Sequence, residues 1–138
     1  MIAYLDSSVL LRRILGQPGS LEEWPRIDPG ISSALAEVEC LRTLDRMRLK
    51  GDYTDDVVAE RRRAIYDVLN SIAVVEITSA VLARAAQPFP TAIRTLDAIH
   101  LATALLWKEQ AGQDLTMATH DRALAVSAKA MGLQVVGV

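Results

Sequence analysis

The sequence predicts an α/β fold, a single-domain α/β/α sandwich around a central, mostly parallel sheet. Short apolar runs without polar alternation, such as IAYL and LTMAT, suit strands buried on both faces. Helix-length segments separate these runs, and strands alternating with helices favour parallel pairing under two helical layers. The scale agrees. A chain of 138 residues with 51% hydrophobic content forms one domain, residues 1–138, with a sizeable core.

Each element can be justified in order. IAYL is the first strand, and the helix from Ser7 to Leu15 is ended by the Gly/Pro loop GQPGS. DPGISS turns into the second strand. A strongly helical stretch runs from Ala34 to Lys50, with Gly51 where a terminator is expected. Asp55 to Ser71 reads as a helix, because Val58, Ile65, Val68 and Ile72 fall at helical spacing. AVVEI is a third strand and Ser79–Ala86 a short helix, which QPFP breaks. Thr95–Ala111 is the next helix, LTMAT the fourth strand, Asp121–Met131 the last helix and LQVVGV the closing strand.

Composition narrows the function classes. A formal net charge of −2 advertises no partner of either sign. The single Cys40 has no partner for an internal disulfide, which fits a reducing compartment. The N-terminus lacks the pattern of a signal peptide, and the run AIHLATALLW is short of the roughly 20 residues that cross a bilayer. The expectation is a soluble, cytoplasmic protein with no membrane partner.

Carboxylates are the informative side chains. Ligands of open parallel sheets bind beyond the carboxyl ends of the strands, near a switch in strand order. Asp6 follows the first strand and Asp121 the fourth, so both belong on that edge. Each also suits a helix N-cap, and one oxygen can cap while the other faces a ligand. The hydroxyls of Ser7, Ser8 and Thr119 have the same two uses. Asp97 lies in LRTLDAIHLATALLW, whose apolar residues cover nearly the whole circumference of a helix. A charge there needs a partner, unless the free N–H groups of the first turn suffice. In SSALAEVECLRTL, Glu37 and Glu39 flank a stripe of Val38, Leu41 and Leu49, about 200° apart, and periodicity leaves both open. Acids gathered on one edge repel unless a cation neutralises them. Oxygen donors suit Mg²⁺ or Mn²⁺ rather than Zn²⁺, and the matching chemistry is phosphodiester hydrolysis.

Four stretches, in order along nearly the whole chain, resemble the PIN-domain ribonucleases, in particular the VapC-type toxins. They are YLDSSVLL, SSALAEVECLRTL, LRTLDAIHLATAL and MATHDRALAVSAKAMGL, the third being the most specific. The resemblance implies an acidic quartet of Asp6, Glu39, Asp97 and Asp121, with VECLR selecting Glu39 over Glu37. It gives Ser8 and Thr119 supporting places at the metal site. Arg94 matches an arginine before the third acid, without a catalytic role. His120 departs from the family, which often has Tyr there. The implied activity is that of a Mg²⁺- or Mn²⁺-dependent endoribonuclease that hydrolyses RNA by metal-activated water. As the toxin of a type II toxin–antitoxin pair, it would form a homodimer and be blocked by a small VapB-like antitoxin.

The remaining residues have readings of their own. Arg12, Arg13, Arg42 and Arg46 are candidates for RNA phosphate contacts, whereas Arg61, Arg62 and Arg63 read as a solvated helix face. Cys40 and His100 read as packed side chains, and Trp24 as a loop residue. Phosphatases with an aspartate nucleophile need a second Asp two residues after the first, where this chain has Ser8. His120–Asp121 lacks the further histidines of metal phosphohydrolases. The rival from another class is a non-catalytic PIN-like protein-binding module.

Overall fold

Strand β1 (Ala3–Leu5) is fully buried, as its unbroken apolar run requires. In this computed structural model, which describes residues 1–138, the other strands are β2 (Gly30–Ser33), β3 (Ala73–Val75), β4 (Thr116–Ala118) and β5 (Gln134–Val136). Their order is β3-β2-β1-β4-β5 and every pairing is parallel, which sharpens the mostly parallel expectation. The helices are α1 (Ser7–Ile14), α2 (Leu35–Leu49), α3 (Asp55–Asn70), α4 (Ser79–Ala85), α5 (Thr95–Ala111) and α6 (Arg122–Ala130). All lie where the sequence puts them, with differences confined to the ends. A short 3₁₀ turn over Trp24–Arg26 replaces the expected loop.

Alternation along the strands divides the core. Ala3 and Leu5 face a cluster built with Val9, Cys40 and Ile65, under α1, α2 and α3. Tyr4 and Met117 face the opposite cluster, with Leu101 and Leu124 from α5 and α6. From β1 the chain steps outward to β2 and β3, then returns across the sheet to β4 on the other side of β1. The switch in strand order therefore falls between β1 and β4, at the ends carrying Asp6 and Asp121.

Two local features hold these ends. Gly137 has φ +99°, and a Cβ there would meet the Thr119 carbonyl oxygen at 2.5 Å. Only glycine permits that approach beside β4. At the far end of α1, Arg61 donates from Nη1 to the Ile14 carbonyl at 2.9 Å.

Two expectations are corrected. Val38 and Leu49 are 57% and 69% exposed, so they do not form the core stripe of α2. The buried face is Ala36, Cys40 and Leu44, spaced four apart, because small side chains let α2 approach its neighbours closely. Arg61 is partly buried against the end of α1 rather than free on a solvated face, whereas Arg62 and Arg63 are exposed as expected.

Arg61→Met should therefore lower the free energy of urea unfolding by about 1 kcal/mol or more, through loss of a partly buried hydrogen bond. Arg63→Met should stay within about 0.5 kcal/mol of the parent. Equal effects would contradict the capping role.

Candidate active site

The site grows from the turn between β1 and α1. Asp6, 4% exposed, is the N-cap of α1, and its Oδ2 accepts from the Ser8 amide at 3.4 Å. The same oxygen accepts from Ser8 Oγ at 2.6 Å and from Thr119 Oγ1 at 2.9 Å. Thr119 Oγ1 in turn accepts from the Asp121 amide at 3.0 Å, and Ser8 Oγ from the His120 amide at 3.0 Å. Asp121 caps α6, its Oδ1 accepting from the Leu124 amide at 2.9 Å. Capping thus engages one oxygen of each carboxylate. Asp6 commits Oδ2 to its cap and two hydroxyls, and Asp121 commits Oδ1.

Asp97 sits in the first turn of α5, where the sequence places it. Its carboxyl is pushed up to about 6, first by burial, then by the charges of Asp121 and Asp6, with Glu39 adding and His100 opposing. Asp97 is therefore close enough to the other three acids to feel their charge. Of the two glutamates left open by periodicity, Glu37 is exposed and Glu39 is partly buried beside the site.

Glu39 Oε1 accepts from Ser7 Oγ at 2.6 Å and contacts His100 Nε2 at 2.5 Å. Burial alone would raise its carboxyl, but the hydrogen bond and charge of His100 and the Ser7 hydroxyl hold it below the usual range. Sequence reasoning misses the role of His100, which reads there only as a packed side chain. It is fully buried, yet its Nδ1 meets the Tyr4 hydroxyl at 2.6 Å and its Nε2 lies 3.8 Å from Asp6 Oδ1. Burial alone would lower its pKa, but the hydrogen bond to Glu39 and the charges of Asp6, Glu39 and Asp97 raise it. One signal is present in the sequence: Asp97 and His100 are three apart and share a helix face.

No Lys or Arg pairs with any of the four acids, whose only ion-pair contacts are with His100. No three His, Cys, Asp or Glu side chains stand ready as a complete metal-ligand set. Several of the oxygens are engaged by hydrogen bonds. The donor chemistry nonetheless fits Mg²⁺ or Mn²⁺. Asp6 Oδ1, Glu39 Oε2 and Asp121 Oδ2 are outside the hydrogen bonds that hold their partners, and Mg²⁺ needs only one or two direct carboxylates, keeping waters elsewhere.

The proposed arginines divide. Arg42 and Arg46 line a groove with Glu39, Val38 and Leu96, with exposed contacts from Arg42 to Asp45 at 3.9 Å and from Arg46 to Thr43 at 3.1 Å. Arg12 instead donates to the Gly19 carbonyl at 3.3 Å, and the Arg13 guanidinium stacks 4.3 Å from the Trp24 ring. Arg94 lines a cavity with Asp97 and Asp121. Cys40 is buried, and burial with the Glu39 and Asp6 charges pushes its thiol up to about 12, which excludes a thiolate nucleophile.

A fold with carboxylates at the switch point of a parallel sheet has relatives. Residues 3–130 match the family model of the PIN domain, and the chain belongs to that family. It is 34% identical over 137 residues to Ribonuclease VapC46 of Mycobacterium tuberculosis, covering 96% of this chain and 95% of that one. It is 29% identical to Ribonuclease VapC47 of the same species, covering 94% and 91%. Among solved structures, FitAcB from Neisseria gonorrhoeae matches with TM-score 0.69 at 19% identity, over 98% of this chain and 96% of that one. A toxin–antitoxin complex from Klebsiella pneumoniae matches with TM-score 0.68 at 17% identity, over 97% and 95%. These two share the fold.

Asp97 supplies a test of the electrostatics. Its folded-state pKa is raised, so the folded chain is penalised as pH climbs from the ordinary carboxylate value of 3.8 through about 6. Asp97→Asn should raise the melting temperature of the metal-free chain by about 2 °C or more at pH 7.5, in EDTA, and change it little at pH 4.5. A lowered midpoint at both pH values would contradict the crowding of charge.

Proposed function

We propose that this chain is a Mg²⁺- or Mn²⁺-dependent endoribonuclease, the toxin of a type II toxin–antitoxin pair. The observation that carries this reading is Asp97, its carboxyl raised to about 6 by burial and by the charges of Asp121, Asp6 and Glu39, with no Lys or Arg paired to any of the four acids. Such a site is built to be completed by a cation. Similarity to proteins named Ribonuclease VapC46 and VapC47 supports RNA as the substrate.

Asp6, Glu39 and Asp97 would hold the ion, with Asp121 as a further ligand, directly or through water. Bound there, a divalent ion activates water and neutralises charge that develops on the scissile phosphate. The chain's own residues do the positioning. Ser8 and Thr119 fix Asp6 by one oxygen and leave the other free. Arg42 and Arg46 stand in the groove beside Glu39, where they would meet the phosphates of an incoming strand. Arg12 and Arg13, held against Gly19 and Trp24 outside that groove, are further candidates for the same contact.

The structural likeness to a toxin–antitoxin complex supports a small antitoxin as partner. A homodimer acting in the cytoplasm completes the reading. No helix of the chain is long and apolar enough to cross a membrane.

Cleavage of a structured RNA pool by the purified chain should require Mg²⁺ or Mn²⁺ and stop on EDTA addition. Asp6→Asn or Asp97→Asn should reduce the rate by about a hundredfold or more. Arg42→Met with Arg46→Met should raise KM and leave kcat unchanged. The salt dependence of binding should flatten by about one unit of slope for each phosphate left without an arginine partner. A folded wild-type chain with neither metal binding nor cleavage would favour the protein-binding module.

A further inference from the structure

Glu39 is held in a way that the four acids by themselves do not require. Both Ser7 Oγ and His100 Nε2 converge on its Oε1, at 2.6 and 2.5 Å. Behind His100, the Tyr4 hydroxyl meets Nδ1 at 2.6 Å, and the two rings pack edge to face with centroids 5.8 Å apart. Tyr4 and His100 are fully buried, so neither can exchange this bond for water. These contacts join β1, α1, α2 and α5, through Tyr4, Ser7, Glu39 and His100.

The hydrogen-bond roles close without an orphan. Ser7 Oγ–H and His100 Nε2–H donate to Glu39, while Nδ1 accepts from Tyr4 O–H in the neutral imidazole and donates to the Tyr4 oxygen in the imidazolium. Burial and the nearby Asp6 charge keep the Tyr4 phenol protonated, so it retains the proton that it donates. A glutamate side chain on a helix surface otherwise samples several rotamers at a cost to any geometry that needs one of them. Two donors on one oxygen remove that freedom and leave the other oxygen, Oε2, without a hydrogen bond.

We propose that Tyr4, Ser7 and His100 are positioning residues that present Glu39 to the divalent ion through a single carboxylate oxygen. The brace rests on the metal-dependent reading of the site. It departs from a plain core role for His100, because a core role needs volume alone, whereas a brace needs an N–H aimed at Glu39. Partners of this kind behind a ligand typically alter metal affinity by roughly 10–100-fold when removed.

The test is Mn²⁺ binding to the full chain at pH 7.5, followed by the electron paramagnetic resonance of free Mn²⁺, with folding checked by circular dichroism. His100→Leu, which keeps bulk and removes the donor, should weaken Mn²⁺ binding by about tenfold or more. His100→Gln, which restores an N–H, should recover most of that loss. Tyr4→Phe should weaken binding several-fold and lower kcat for RNA cleavage with KM unchanged. Should His100→Leu fail to fold, Tyr4→Phe decides. Folded variants that all bind Mn²⁺ like the parent, or a His100→Gln no better than His100→Leu, would overturn the brace while leaving the metal site intact. A wild-type chain that binds no Mn²⁺ would overturn the metal reading itself, and the brace with it.

Discussion

Mutual repulsion among carboxylates at one edge of the sheet is the constraint around which this molecule is arranged. Asp97 registers it most clearly, its carboxyl driven up to about 6 by burial and by its acidic neighbours. No Lys or Arg pairs with these acids, and the one basic side chain in contact with them is the buried His100, against Glu39 and Asp6. The local structure instead spreads the cost over hydrogen bonds. Ser8 and Thr119 donate to Asp6, Ser7 and His100 to Glu39, and the Leu124 amide to Asp121. Each of these acids keeps one oxygen outside that network. An acidic site stabilised in halves, with the remaining half free, has the electrostatic form of a site awaiting a cation.

The fold supplies the geometry that makes such a cluster attainable. Parallel pairing directs the carboxyl ends of all strands to one edge, and the return of the chain across the sheet puts β1 beside β4. Asp6 and Asp121 then stand at the two strand ends that flank the switch, while α2 and α5 begin near the same edge with Glu39 and Asp97. Gly137 lets the last strand close against the Thr119 carbonyl, which lies next to the hydroxyl that braces Asp6. A defect at the closing strand would thus be transmitted to the site through backbone packing rather than through chemistry.

The acids and the strand–helix alternation are legible in the sequence because each rests on local chemistry. A carboxylate after a buried strand, or inside an apolar helix, is anomalous wherever the chain goes. The family likeness chooses Glu39 over Glu37, a choice that periodicity leaves open. The features hidden from the sequence depend on packing between distant segments. His100 reads as a core side chain because nothing in its neighbourhood of the sequence names Tyr4, Ser7 or Glu39 as partners. Arg61 reads as solvated because its acceptor is a helix end 47 positions earlier in the chain. The inward face of α2 is misjudged when large residues are weighted over the small Ala36 and Cys40, which allow close approach.

Diffraction from crystals soaked in Mn²⁺, recorded to locate its anomalous signal, addresses the central claim most directly. The predicted result is a peak at the switch point between β1 and β4, in contact with carboxylate oxygens of Asp6, Glu39 and Asp97, with Asp121 within direct or water-bridged reach. A peak elsewhere, or an occupied lattice in which these four side chains turn toward separate regions, would contradict it.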